Sequence, residues 1–395
     1  MKIAFQPPQS PYSGGGESPL DRGFRGQKKI AFLGPAYPLR GGIAQFITLL
    51  ALELKKKHEV KIFSFSKQYP TILFPGKDQI DRSEAKPDME IEPVVTPYNP
   101  ITWLAAVKKI NQWQPDVLIL KYWIPFFAPC FGWIIRKLKD RQKIKVVYAI
   151  DNIVFHEKWP LADKLSKYAL GRADALITMS DVVFEDTRKL LPNANIVKGF
   201  HPTYNCYNLG KFSKESARKK LQVEDKKVIL FFGYIKPYKG LELLINSFPA
   251  ILEKLPDAHL MIVGEVYGDD LVYFKLIESL NLQKQVTFLN RFATNEEVEL
   301  YYKVADVLAL PYLSATQSGV VQIAYDFGLG AVCTPVGGLP ELVIDGKTGT
   351  VAKDVSEEAF TDAIVEFFEL DKVEIATNIL VEKSKYSWEK FAELL

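Results

Sequence analysis

Short apolar runs, each closed by glycine, proline or a polar turn, alternate along this chain with segments whose apolar positions recur at helical spacing. The first run, KKIAFLGP (Lys28–Pro35), reads as a buried strand ended by Gly-Pro. LRGGIAQFITLLALELKKK follows as a helix opened by a Gly-Gly pair, and HEVKIFSFS is the next strand. The alternation continues through ITWLAAVKKINQW (helix), PDVLILKYW (strand), APCFGWIIRKLKD (helix) and KIKVVYAID (strand). ADKLSKYALGRA and DVVFEDTRKLL are helical, each followed by a strand, DALITMS and NIVKGFHP. Strands that are apolar throughout and separated by helices imply a parallel sheet covered on both faces.

The pattern then restarts. A polar stretch, KFSKESARKKLQVEDKK, leads into VILFFGYIKPYKGLELLINSFPAILEKL, again strand, glycine turn and helix. AHLMIVGEVYGDD, VTFLN, VLALPY and AVCTPV are further short strands. The expectation is an α/β fold of two Rossmann-like domains facing a central cleft, with ligands bound at the carboxyl ends of the strands. The divisions read as a disordered lead-in over 1–27, a first domain over 28–205, a second over 206–378 and a C-terminal helix over 379–395 that packs back toward the first domain.

Composition narrows the class. A chain of 395 residues holds two or three full cores, and its 25% charged and 48% apolar residues are ordinary for a globular protein. Cys130, Cys206 and Cys333 share no close spacing, which excludes a disulfide framework or zinc cluster and fits a reducing compartment. No apolar run is long enough to cross a membrane, and the Pro-, Gly- and Ser-rich start has no signal-peptide pattern. The net charge of +3 hides an asymmetry: residues 28–205 carry 27 Lys and Arg against 17 Asp and Glu, whereas residues 206–395 carry 20 against 28. The basic half suits an anionic lipid or a phosphorylated acceptor.

Five stretches carry candidate chemistry. In GPAYPLRGG (Gly34–Gly42), Gly41 and Gly42 let the backbone approach a ligand at a helix start, and Arg40 beside them favours an anion. In FFGYIKPYKGLELL (Phe231–Leu244), Gly233 ends a buried strand, and Lys236 and Lys239 precede a helix, an arrangement suited to clamping an anion. In YAIDNIVFHEKWP (Tyr148–Pro160), Asp151 and Asn152 stand just past a strand, with His156 and Glu157 on the following loop. His201, in FHPTY, borders the expected hinge. In YLSATQSGVVQIAYDFG, Thr316 and Ser318 are natural caps for an apolar helix whose first N–H groups are open to an anion. KYWIPFFAPCFGWIIRKLKDRQKIKV (Lys121–Val146) runs from aromatics into Arg136, Lys137, Lys139, Arg141, Lys143 and Lys145. It reads as a candidate interfacial helix for anionic lipid across Trp123–Lys145, the alternative being a buried helix with a basic exposed end. GDD at Gly268–Asp270 reads as a turn rather than a metal site.

In order and spacing these stretches, ending in VGGLPELVIDGKTG, resemble the GT-B-fold glycosyltransferases of family 4 (glycosyl transferases group 1), from about Lys28 to the last helix. The resemblance implies a retaining transfer of a hexosyl unit from an NDP-sugar, UDP- or GDP-linked, to a glycan or lipid-linked acceptor. Donor binding falls to Gly41, Gly42, Gly233, Lys236, Lys239, Thr316, Gln317, Ser318, Gly319, Val320 and Gln322. Catalysis falls to Asp151, Asn152, His156 and Lys239, and acceptor binding to Arg40 and His156. No cofactor, metal or nucleic acid is implied, and a cytoplasmic enzyme at the inner membrane face is expected, working in cell-surface polysaccharide or glycolipid synthesis.

Three departures stand out. Tyr234 follows Gly233 where the family has arginine, and Asp151 stands where it commonly has histidine. The family's two glutamates before the VGG turn have no counterpart. Counting back from Gly337 gives Ala315 and Ile323, and counting from Gln317 gives Tyr325. Gln317, Gln322 and Tyr325 are then the candidates for holding the ribose, and a degenerate protein that binds a glycan or partner without catalysis is the alternative function.

Overall fold

A computed structural model describes the chain over residues 26–70, 78–84, 86–138, 143–154, 160–316 and 318–395. The expected lead-in up to residue 25, Lys139, Arg141, His156, Glu157 and Gln317 lie outside these residues.

Seven parallel strands form the first sheet: β1 (Lys29–Gly34), β2 (Glu59–Phe65), β3 (Ile91–Val95), β4 (Val117–Tyr122), β5 (Lys145–Ile150), β6 (Ala175–Thr178) and β7 (Ile196–Lys198), in the order β3-β2-β1-β4-β5-β6-β7. Six more form the second: β8 (Lys227–Phe232), β9 (Ala258–Val263), β10 (Val286–Leu289), β11 (Val307–Leu310), β12 (Ala331–Cys333) and β13 (Gly349–Val351), in the order β10-β9-β8-β11-β12-β13. Every residue of β4 and β9 is buried, as strands covered by helices on both faces must be. β3 has no counterpart in the apolar pattern. It contains Pro93 and Glu92 and pairs only with β2, at the sheet edge where a proline's missing N–H is tolerated. Lys61 and Lys109 neutralise Glu92 there.

One face of the first sheet packs on Trp103, Phe127, Phe131 and Ile134. The other packs on Phe46, Ile47 and Leu50 of the Gly42–Lys55 helix, and its cluster is completed from the far end of the chain by Trp388, Phe391, Leu394 and Leu395. The expected single C-terminal helix is therefore broken. A helix over Lys372–Lys383 ends in a short turn over Ser384–Tyr386, and a second helix, Trp388–Ala392, starts from Ser387, whose hydroxyl accepts from the Lys390 N–H. The break lets Trp388 and Phe391 turn into the first domain, with ring centroids 5.1 and 5.5 Å from Phe46. The Trp388 indole N–H donates to the Thr203 carbonyl at 2.8 Å, and the Thr203 N–H donates to the Tyr386 carbonyl at 2.9 Å, so the last helix also ties down the segment joining the domains.

The Trp123–Lys145 segment takes the second of its two readings. Phe127, Ala128, Cys130, Phe131, Ile134 and Ile135 are fully buried, so its apolar face belongs to the core and is not available to lipid. Arg136 and Lys137 form the exposed basic end, with the Arg136 guanidinium donating to the Gly132 and Tyr168 carbonyls. Among the described residues no helix is long and apolar enough to cross a membrane.

Because Trp388 fills a shared core and makes a buried hydrogen bond, Trp388→Ala is expected to destabilise the folded chain by about 3–5 kcal/mol. A thermal melt that leaves the midpoint unmoved would contradict this role of the C-terminal helix.

Candidate functional site

A cavity of about 420 Å³ lies between the two sheets. That is within the range of small-molecule sites. Its walls come from loops that follow the carboxyl ends of strands. Gly41, Gly42 and Ile43 follow β1, Trp123 follows β4, Asp151 and Asn152 follow β5, and His201 and Tyr204 follow β7. From the second domain come Gly233, Tyr234 and Lys239 after β8, Gly264 and Glu265 after β9, Phe292 and Ala293 after β10, and Tyr312, Thr316, Ser318, Gly319 and Val320 after β11.

One end of the cavity is built for an anion. Gly233 has φ +105°, and a Cβ there would lie 3.4 Å from the Lys239 ammonium and 3.5 Å from a Val320 methyl. Lys239 and Val320, in the first turn of the Gly319–Asp326 helix, thus share Gly233 as a neighbour. Desolvation works against the lysine's charge, but the Tyr312 and Tyr238 phenols beside it outweigh that and raise its pKa, so it is a cation at neutral pH. Among the described residues no side chain caps the helix, and its first turn has no acidic residue. The expected caps act elsewhere: the Ser318 hydroxyl lies 3.5 Å from the Tyr312 phenol, and the Thr316 hydroxyl donates to Asn152 across the cleft. The first N–H groups of a helix have no partner within it, so an uncapped start beside a lysine attracts negative charge. Gly41, with φ +109°, and Gly42 begin the facing helix of the first domain.

The first-domain end carries a buried ion pair. The Lys121 ammonium, 2% exposed, donates to Asp151 at 2.7 Å and sits 3.4 Å from the Phe46 ring centroid. Desolvation lowers the lysine pKa, and the Asp151 carboxylate opposes that shift. The Tyr204 phenol donates to the Gly42 carbonyl at 3.0 Å, which fixes the Gly-Gly loop against the inter-domain segment.

Several contacts close the cleft. The Arg40 guanidinium pairs with the Glu265 carboxylate, both nearly fully buried, and lies 4.6 Å from the Phe292 ring centroid. On the far side the Ser180 hydroxyl donates to the Thr316 carbonyl at 3.1 Å, and the Asp181 N–H, at the start of the Asp181–Leu190 helix, donates to Glu341 at 3.2 Å.

Most residues singled out in the sequence meet at this cavity: Gly41, Gly42, Asp151, Asn152, Gly233, Lys239, Thr316, Ser318, Gly319 and Val320 line it. Four do not. Lys236 lies 5.9 Å from the Tyr267 ring centroid, outside the lining. Arg40, expected at the acceptor, has its guanidinium on Glu265. Gln322 is fully buried, with its carbonyl 3.5 Å from the Thr203 hydroxyl. The Tyr325 phenol donates to the Leu342 carbonyl and lies 2.8 Å from the Thr348 hydroxyl. The cause is helical phase: Gly319, Val320 and Ile323 face the cavity, which turns 322 and 325 to the other side. Ala315 and Ile323, the positions counted back from Gly337, both line the wall, so neither family glutamate is replaced by an acid there. Lys121, Tyr204, Glu265 and Phe292 carried no signal in the sequence, because each is an isolated residue in or after an ordinary strand. Among the described residues no group of three or more His, Cys, Asp or Glu is placed to hold a metal.

Comparison with known proteins agrees with this geometry. The model of glycosyl transferases group 1 matches residues 213–383, and that of glycosyltransferase family 4 matches residues 40–197. A D-inositol 3-phosphate glycosyltransferase of Corynebacterium urealyticum is 30% identical over 307 residues, 71% of this chain and 70% of that protein. Spore coat protein SA of Bacillus subtilis is 26% identical over 81% of this chain and 83% of its own length. Among solved structures, sucrose-phosphate synthase from Thermosynechococcus elongatus superposes with a TM-score of 0.71 at 19% identity, over 93% of this chain and 96% of that one. Anabaena HepE, solved with UDP and glucose, superposes with 0.70 at 16% identity, over 93% and 98%. These two likenesses bear on the fold.

Partial desolvation at the contact with the first domain, and then the nearby Asp181 carboxylate, hold the carboxyl of the still exposed Glu341 above its ordinary pKa, against the pull of the Asp181 N–H. The folded chain therefore binds this proton more tightly than the unfolded chain. The contribution to stability is full below the ordinary glutamate value and is lost as pH rises through the raised one. Glu341→Gln is expected to raise the melting temperature at about pH 8 and to change it less at about pH 4.5. An equal shift at both values would mean that the carboxyl's ionisation plays no part.

Proposed function

The chain belongs to the GT-B glycosyltransferases of family 4, group 1, and on that premise we propose that it moves a hexosyl unit, with retention, from an NDP-sugar to a glycan or lipid-linked acceptor. The observation that carries the donor half is that the Lys239 ammonium and the start of the Gly319–Asp326 helix, which no described side chain caps, both adjoin Gly233 in a cavity also lined by Gly41 and Gly42. This is a site for a diphosphate, the leaving group of such a donor. Anabaena HepE, of the same fold, was solved with UDP-glucose.

The chemistry asks little of an enzyme carboxylate. The bond from the anomeric carbon to the diphosphate oxygen breaks while the acceptor oxygen bonds to that carbon from the same face. The acceptor proton passes to the departing diphosphate oxygen. What the protein supplies is positioning and stabilisation of the charge that builds on the diphosphate. Lys239, the backbone N–H groups over Ser318–Val320 and the Gly41–Gly42 loop fill that role without a glutamate at 315 or 323. Asp151 and Asn152, across the cavity, contact the sugar or the acceptor. The excess of Lys and Arg over residues 28–205 favours an acceptor that carries phosphate, such as a lipid-linked glycan at the inner face of the membrane. A non-catalytic glycan- or partner-binding protein is the second reading, motivated by Ala315 and Ile323.

A screen of UDP- and GDP-sugars with released nucleotide as readout, run with acceptor candidates and mass spectrometry of products, tests the proposal. Lys239→Ala is expected to lower kcat by roughly 100- to 1000-fold while the melting temperature is kept. Unchanged turnover in that variant removes the lysine from the mechanism, and binding of a nucleotide sugar without any transfer favours the second reading. Because the anion site is built from a lysine and backbone N–H groups, activity is also expected to survive an excess of EDTA. Its loss, restored by a divalent cation, would replace this account of leaving-group stabilisation.

A further inference from the structure

The first-domain wall of the cavity holds a histidine used neither by the diphosphate end nor by the closing contacts. His201 lines the cavity, is only 5% exposed, and packs between the rings of Phe46 and Tyr204, at centroid distances of 5.9 and 5.2 Å. Its two ring nitrogens have different surroundings. Nδ1 lies 3.0 Å from the Pro202 carbonyl oxygen. A carbonyl can only accept, so Nδ1 carries the proton. Nε2 has no hydrogen-bond partner among the described residues, and it faces the first residue of the Gly319–Asp326 helix, where a Cβ on Gly319 would come within 3.5 Å of it.

The ring is also neutral. Burial, and then the Lys121 ammonium, push its pKa down to about 4, against a smaller pull from Asp151 and the hydrogen bond to Pro202. The charged groups around it are that ammonium from β4 and the carboxylate after β5, which are paired with each other. The inter-domain segment adds the Tyr204 phenol, and the second domain presents the uncapped helix start. Nε2 is therefore a lone pair without a protein donor among the described residues, at the cavity wall beside the place where the diphosphate would bind. Anionic phosphate oxygens offer it no proton. A hydroxyl does.

We propose that His201 is a substrate-binding residue whose Nε2 accepts a hydrogen bond from a sugar hydroxyl next to the diphosphate. The assignment rests on the glycosyltransfer reading above and adds a contact to it. The imidazole orients the hydroxyl and does not take its proton, because so weak a base holds no proton at neutral pH. The hydroxyl belongs either to the sugar being transferred or to the acceptor that attacks it. Both lie beside the scissile bond.

His201→Phe keeps a ring between Phe46 and Tyr204 and removes the acceptor atom, whereas His201→Gln can return an amide oxygen to the place of Nε2. The Phe variant is expected to lose about 10- to 100-fold in kcat/KM at an unchanged melting temperature, and the Gln variant to recover most of it. If donor hydrolysis without acceptor falls together with transfer, the hydroxyl is the donor sugar's. If hydrolysis stands while the acceptor KM rises, it is the acceptor's. Wild-type kcat/KM in a folded Phe variant, with nucleotide-sugar binding intact, overturns this assignment alone. No binding of any UDP- or GDP-sugar by the wild-type chain in calorimetry overturns the donor reading and this assignment with it. Should the Phe variant fail to fold, nitrogen NMR of the wild-type imidazole decides. Saturating donor and acceptor must shift the Nε2 resonance, and an unmoved resonance rejects the contact.

Discussion

Backbone N–H groups at the start of a buried helix need a partner, and in this chain none of the described side chains provides one for the Gly319–Asp326 helix. Thr316 and Ser318, the two residues best suited to cap it, are engaged by Asn152 and Tyr312. The rest of the anion end follows from that vacancy. Gly233 and Gly319 carry no side chain where one would crowd Lys239, Val320, Tyr204 or His201. Lys239 keeps its charge despite burial because phenols surround it. A helix start and a lysine together favour an anion where a glutamate would not, since a carboxylate would add charge of the wrong sign.

The opposite end obeys a different constraint. Lys121 is buried on a central strand, and a buried ammonium persists only when paired. Asp151 is its partner, and so stands at the end of β5 where relatives of this family commonly place a histidine. The pair fixes the carboxylate at the cavity wall, and its ammonium, against the smaller opposing pull of Asp151, helps to keep His201 uncharged. In the middle, the Arg40–Glu265 pair and the Tyr204–Gly42 hydrogen bond hold the two domains over a shared space. That closure brings loops from two separate sheets within reach of one ligand.

Much of this was legible in the amino-acid order. The apolar runs gave away eleven of the thirteen strands, all but β3 and the three-residue β13, because strands buried on both faces cannot hide their composition. β3 escaped because an edge strand needs only one buried face and tolerates Pro93 and Glu92. The glycine loops and Lys239 were legible because glycine after a strand and lysine before a helix are local features. Lys236, a neighbour on the same loop, was not separable from Lys239 by sequence, since which of the two ammonium groups turns inward is settled by where Tyr267 and Tyr312 sit.

The sequence by itself determined two tandem parallel sheets, the turns that end their strands, and the glycines and lysine after β8 and β11 that line the cavity. Periodicity and glycine placement act within a few residues, so they survive without knowledge of the fold. Only the tertiary structure decided which face of the Gly319–Asp326 helix meets the cavity, and so turned Gln322 and Tyr325 away from it. It alone paired Lys121 with Asp151 and Arg40 with Glu265, and brought Trp388 against Phe46. Those contacts join residues 30 to more than 300 positions apart. Their partners are chosen by packing and by the need to neutralise buried charge, and neither leaves a mark on the local order of residues.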